Sequence, residues 1–399
     1  MSIETRAFAV PIVHPADEAA RRSFHVLTLA PFYPSLEDPA QGCFVAEPLE
    51  WTERLAIRNQ VIAAQPFYRG ARLATESKIP AHWESYFALP GKLGLVGAGE
   101  FLASRLKSQL SQLKREGRLD LIHAHSALPC GHAAQALAKE FGIPFVVTVH
   151  GLDAFFLRQT GTCGKWCSRI CRRVYQSASA VICISEAVRH AVEEFVSART
   201  EVVYNGVDEN LFRPAAETES RAILSVGNLI PVKGHALLLK AFHRIAHEFP
   251  GCTVDIIGDG LERSNLQRLA ANLGIASRVF FLGRKSRAEV AAAMRRCSLF
   301  ALTSEYEGLG CVYLEAMASG TPVIACQGQG IAEIIQHEKN GLLVPPRDQP
   351  AVTESLRMLL ANPDFRRRLG SAARGCILER HTFAHQARQL AAIYSRCAR

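Results

Sequence analysis

The sequence predicts an α/β protein with two Rossmann-like, doubly wound domains, each a parallel sheet flanked by helices. Three observations carry this. At 399 residues the chain is too long for one ordinary core, and a prior of roughly 100 to 200 residues per domain gives two. From Ser23 onward short apolar runs alternate with amphipathic stretches, the pattern of parallel strands joined by crossover helices. That alternation stops in the polar segment Arg213-Pro-Ala-Ala-Glu-Thr-Glu-Ser220 and then restarts.

In chain order, the first series has strands at Phe24–Ala30, Leu121–Ala124, Phe145–Val149 and Ala180–Ile184, with helices over Phe101–Lys114 and Leu128–Phe141. Gly142-Ile-Pro144 supplies the Gly and Pro that stop the second helix. The second series has strands at Ala222–Val226, Thr253–Ile257, Val279–Leu282, Leu299–Leu302 and Pro322–Ala325, with helices near Ala236–His247, Leu261–Ala271 and Gly310–Ser319. The resulting division is a tail over 1–22, a first domain over 23–204, a linker over 205–220, a second domain over 221–380 and a C-terminal segment over 381–399.

Composition narrows the function classes. No apolar run approaches the 18 or so residues of a membrane span, and residues 1–23 lack a basic start followed by an apolar block, so a cytoplasmic protein is expected. The net charge of +9 suits an enzyme that handles diphosphates, and since neither half gathers it into a basic tail, nucleic acid is a poor partner. Most of the 12 cysteines sit in apolar strand or helix contexts, as buried thiols of a reducing compartment do. Cys163, Cys167 and Cys171 would line one helical face, but match no zinc or iron–sulfur spacing.

Ligands of such sheets bind beyond the carboxyl ends of the strands, so the loops there carry the chemistry. In Ser304-Glu-Tyr-Glu307-Gly-Leu-Gly310-Cys-Val-Tyr-Leu-Glu315, a strand leads through a glycine loop into a helix. Gly308 and Gly310 let the backbone come close to a ligand where free N–H groups favour a phosphate. Glu307 and Glu315 then stand roughly 7.5 Å or somewhat more apart, which suits one carboxylate on a sugar and one on a ribose with a diphosphate between them. Lys233, between a strand and a helix in Gly227-Asn-Leu-Ile-Pro-Val-Lys233-Gly234, can set its ammonium against that diphosphate.

Together, Asn205-Gly-Val-Asp208 with Phe212, Lys233-Gly234, Gly258-Asp-Gly260, Phe281-Leu-Gly283 and the Glu307/Glu315 loop resemble the retaining glycosyltransferases of family 4, over nearly the whole chain from Phe24. The resemblance implies the GT-B fold, with donor and acceptor meeting in a cleft between the domains, and a C-terminal helix, about Phe383–Cys397, crossing back to the first domain. It places Glu315 on the donor ribose, Glu307 and His150 at the transferred sugar, and Lys233 with the backbone of Gly308, Leu309 and Gly310 at the diphosphate. Gly42 matches the one retained glycine of a loop beside the donor phosphates. Where the family often has an arginine, this chain has Asn228, so Arg284 or Lys285 is expected to supply the missing contact.

The resulting expectation is a metal-independent retaining hexosyltransferase without a cofactor, using a nucleotide sugar as substrate, with UDP- and GDP-sugars favoured. Its acceptor is a glycan or a lipid-linked glycan, in polysaccharide or glycoconjugate synthesis. Two alternatives stay open: a nucleotide-sugar epimerase of the same fold, and an inactive nucleotide-sugar-binding scaffold. Lys165–Val174 reads as a basic amphipathic helix with Trp166, Ile170 and Val174 on its apolar side, fitting either peripheral contact with the inner membrane face or packing on a core. Donor base, linkage and oligomeric state are not legible.

Overall fold

The computed structural model describes residues 23–70, 78–215 and 221–398. The expected tail, 1–22, and residues 216–220 of the expected linker lie outside them. Strands β1 (Phe24–Ala30), β2 (Ile57–Pro66), β3 (Ala81–Tyr86), β4 (Leu121–His125), β5 (Phe145–Val149), β6 (Ala180–Cys183) and β7 (Thr200–Val202) form one sheet in the order β3-β2-β1-β4-β5-β6-β7. A second sheet runs β10-β9-β8-β11-β12-β13, from β8 (Ala222–Val226), β9 (Thr253–Ile257), β10 (Val279–Gly283), β11 (Leu299–Ala301), β12 (Val323–Cys326) and β13 (Leu342–Val344). Every strand pair in both sheets is parallel, and the central strands β4, β5 and β6 are buried along their full length because helices cover both faces.

The helices are α1 (Cys43–Glu53), α2 (Lys92–Arg115), α3 (His132–Phe141), α4 (Thr162–Ser177), α5 (Glu186–Glu193), α6 (His235–Ile245), α7 (Arg263–Asn272), α8 (Arg287–Arg296), α9 (Cys311–Ala318), α10 (Gln349–Ala361), α11 (Pro363–Arg380) and α12 (Phe383–Cys397). Strand order reverses between β1 and β4 in one sheet and between β8 and β11 in the other, the two points at which such sheets open a crevice. Helix α12 returns to the first sheet, where Leu390, Ile393 and Tyr394 pack with Val26, Leu121, Val146 and Ile182. No helix among the described residues is long and apolar enough to cross a membrane.

Four strands escape the sequence reading. Strand β2 carries Arg58, Asn59 and Gln60 in its first half, β3 alternates at the sheet edge, and β7 and β13 are three residues each, too short for periodicity to register. The helix expected over Leu128–Phe141 starts only at His132, because Leu128 precedes Pro129 and takes an extended backbone (φ −120°, ψ 131°). Gly142 does end it, in the left-handed conformation at φ 61°. In α4, Ile170 and Val174 are buried with Cys167 and Cys171, whereas Trp166 is 45 % exposed beside Lys165 and Arg169, so it does not belong to the packed face. The 12 cysteines are all free thiols, and no group of three or more His, Cys, Asp or Glu among the described residues could hold a metal ion.

Candidate active site

A cleft of about 500 Å³ lies between the carboxyl ends of the two sheets. His150, Asn228, Lys233, Arg284, Lys285, Glu307, Gly308, Leu309, Gly310 and Glu315 all line it. Gly42 does not. It is the N-cap of α1 in the left-handed region (φ 72°), and a side chain there would come within 2.7 Å of the Phe32 backbone, so Gly42 shapes the turn that brings Cys43 and Phe44 to the cleft wall.

The loop from β11 to α9 meets the first domain closely. Gly308 lies against the 150–151 backbone, where a Cβ would come within 2.7 Å of the His150 carbonyl, and the Ser185 hydroxyl donates to the Gly308 carbonyl at 2.6 Å. Gly310 caps α9 at φ 84°, and the first residues of that helix, Cys311 and Val312, line the same cleft as Lys233 and Glu315. Lys233 Nζ donates to Glu307 Oε1 at 2.5 Å, and Ser304 donates to the same oxygen at 2.8 Å. The pair is largely sheltered, with the two side chains 21 % and 9 % exposed. The ammonium expected at the leaving diphosphate and the carboxylate expected at the sugar are therefore neighbours.

Glu315 is 3 % exposed and its Oε1 accepts from Arg287, while its Oε2 is buried without a partner. Arg287 also makes a bidentate pair with Glu47 on α1, at 2.8 Å for both contacts, and lies 4.8 Å from the Phe212 ring centre. Burial raises the Glu47 carboxyl above the usual range, and the Arg287 guanidinium opposes it. Arg284, expected with Lys285 to supply the diphosphate contact absent at Asn228, lines the cleft at its rim, 60 % exposed and paired with Asp38 at 2.5 Å. The buried cation is Arg287. Its signal was present: Ser286 and Glu289 form a capping box directly after β10, so Arg287 opens a helix at a strand's carboxyl end. The ion pairs from Arg284 and Arg287 to the first domain have no sequence signal, since their partners lie about 240 residues away.

His150 follows β5. Its backbone N–H donates to Asp153 Oδ1 at 2.9 Å, and its ring packs against Phe32 and Phe44. Its Nε2 is 2.9 Å from Nδ1 of His125, the last residue of β4. Desolvation, reinforced by His123, lowers the His150 pKa to about 3, and burial alone does the same to His123. His235 and His381 are lowered to about 4, again chiefly by burial. A histidine with a depressed folded pKa contributes stability above its unfolded pKa, near 6.5, and loses it as pH falls toward the folded value. Each such histidine should therefore cost about 1.4 kcal/mol per pH unit below roughly 6.5. Asp153, raised to about 6 by burial against hydrogen bonds from Ser126 and the backbone, offsets part of this because it binds its proton more readily when folded. The expected result is a Tm that drops steadily from pH 7 to pH 5 in a thermal melt series, and a flat profile would contradict the buried-neutral assignment.

Two facing parallel sheets with strand order reversing at the crevice, an acidic pair on a glycine loop and a lysine across from it define a GT-B glycosyltransferase. The chain belongs to this enzyme class by family as well as by fold: residues 16–211 match the model for glycosyltransferase family 4, and residues 207–375 match that for glycosyl transferases group 1. A glycosyltransferase of Methanocaldococcus jannaschii is 32 % identical over 270 residues, 68 % of this chain and 73 % of the relative. Among solved structures, sucrose-phosphate synthase from Thermosynechococcus elongatus shares the fold at a TM-score of 0.76 and 20 % identity, covering 93 % of this chain and 98 % of the other. HepE of Anabaena, solved with UDP-glucose, aligns at 0.73 and 22 % identity, covering 93 % and 99 %.

Proposed function

We propose that this glycosyltransferase moves a hexose from a nucleotide diphosphate donor to a glycan or lipid-linked acceptor with retention of the anomeric configuration. The observation that carries the reading is the sheltered Lys233–Glu307 pair beside the N-terminus of α9, which sets a cation and helix N–H donors next to a carboxylate suited to sugar hydroxyls. Glu315 offers its unpartnered Oε2 to a ribose hydroxyl. In the reaction the bond from the anomeric carbon to the diphosphate oxygen breaks, its electron pair stays on the diphosphate, and the acceptor oxygen bonds to that carbon while its proton passes to the departing diphosphate. Lys233 and α9 stabilise the growing negative charge, so charge compensation in this reading needs neither a metal nor a cofactor. A UDP-sugar donor is supported by the UDP-glucose complex of HepE. Location on the cytoplasmic side, where nucleotide sugars would be available, belongs to the same proposal.

The test is donor consumption by purified full-length chain, using the nucleotide sugar that gives the largest thermal shift among UDP-, GDP-, ADP- and dTDP-sugars. Glu307→Gln is expected to lower turnover by roughly 10²-fold while nucleotide affinity changes far less. Glu315→Ala is expected to weaken nucleotide binding directly, by about tenfold for a lost hydrogen bond to a charged group. Parent-like kinetics in both variants would remove the site assignment, and the absence of a thermal shift with any nucleotide sugar would remove the donor class.

A further inference from the structure

The carboxyl end of the first sheet holds a column of three histidines that none of the roles above uses as a unit. His123 and His125 alternate along β4, and both are buried, at 2 % and 6 % exposure. The His123 and His125 rings stack with centres 4.4 Å apart, and the His125 and His150 rings stack at 5.1 Å. The far end of the column is anchored: His123 Nδ1 is 2.7 Å from the Tyr394 hydroxyl on α12, and His123 Nε2 is 2.7 Å from Thr148 Oγ1 on β5. The near end is the cleft, which His150 lines. A return helix at the C-terminus is thus joined through two rings to the side chain at the reaction centre.

We propose that His125 is a positioning residue for sugar transfer, its Nδ1 hydrogen bond and stacked ring fixing the orientation and tautomer of His150. This rests on the placement of His150 beside the transferred sugar. The 2.9 Å contact joins two ring nitrogens, so one must carry the proton and the other must be bare. Burial keeps both rings neutral, which leaves each with a single proton to place. His125 Nε2 and His150 Nδ1, the two outer nitrogens, are both buried without a partner, so the contact couples the two rings without choosing the donor. A proton on His125 Nδ1 goes with His150 protonated on Nδ1, and a proton on His150 Nε2 goes with His125 protonated on Nε2. Either way His125 ties the His150 tautomer and ring orientation to its own. Without His125 the imidazole would take either tautomer and rotate, as catalytic imidazoles do when their orienting partner is lost.

Nitrogen-15 NMR of histidine-labelled full-length chain tests this directly, with the His150 resonances assigned from their loss in His150→Gln. The parent is expected to show His150 neutral and in a single tautomer. His125→Leu should show a mixture, and His125→Asn, whose amide can donate or accept at the place of Nδ1, should restore the single form. With the donor chosen by thermal shift, His125→Leu should lose at least about tenfold in kcat with donor KM within about threefold, and His125→Asn should recover most of the loss. A purely structural His125 would leave the His150 tautomer unchanged in both variants, and that result overturns the inference. If His150→Ala turns over at the parent rate, the placement of His150 fails. If His150→Ala loses turnover while His125→Leu keeps the parent's kcat and tautomer, only the present inference fails.

Discussion

Replacing Lys233 with alanine is expected to lower kcat by roughly 10²–10³-fold, the equivalent of about 2.7–4 kcal/mol of transition-state stabilisation. Its Nζ lies 2.5 Å from Glu307 beside the α9 N-terminus, where the leaving diphosphate gathers charge in the proposed reaction. Because that charge grows as the glycosidic bond breaks, the loss should fall mainly on kcat, with nucleotide affinity weakened by less than about tenfold. Lys233→Arg should recover little, since a planar fork does not reproduce a compact ammonium on this short reach. Steady-state release of nucleoside diphosphate, set beside a nucleotide titration, separates the two quantities. A kcat within threefold of the parent would show that Lys233 does not face the leaving group.

The second large effect is expected from Arg287→Met, and it falls first on stability. Arg287 stands between the carboxylates of Glu315 and Glu47, and its removal leaves two sheltered acidic groups facing each other without a cation. Breaking a buried pair in this way costs about 3–5 kcal/mol. With Glu47 raised further above its unfolded pKa, the folded state binds a proton that the unfolded state does not, so the stability contribution is present at low pH and lost as pH rises through the folded value. The Tm deficit against the parent should therefore be largest near pH 8 and shrink toward pH 5.5. Arg287→Lys should lie between the two, because it keeps the charge but not the bidentate contact with Glu47. Melts of parent and variants across that range check the sign, and a pH-independent deficit would mean that lost packing on Phe212 explains the effect rather than charge.

Much of the cleft was legible because its chemistry is local. Glu307, Gly308, Gly310 and Glu315 sit within nine consecutive positions on a strand–loop–helix unit, and Lys233 lies at the same kind of edge. Arg284 and Arg287 both follow β10 and both line the cleft, and only burial, which no local pattern encodes, separates the exposed rim residue from the sheltered cation. Gly42, matched to a glycine beside the donor phosphates, meets a local demand in the fold: its left-handed backbone and the approach of Phe32 leave no room for a side chain.

By itself the sequence determined the α/β class, the two successive strand–helix series and the glycine loop with its carboxylates, because hydrophobic period, turn residues and helix starts are properties of neighbouring positions. Tertiary structure alone decided which distant groups meet: Glu47 with Arg287, Ser185 with Gly308, and the column from Tyr394 through His123 to His125 and His150. Those contacts depend on how two sheets and a returning helix close on one another, and no local pattern encodes a pairing across some 120 to 270 residues.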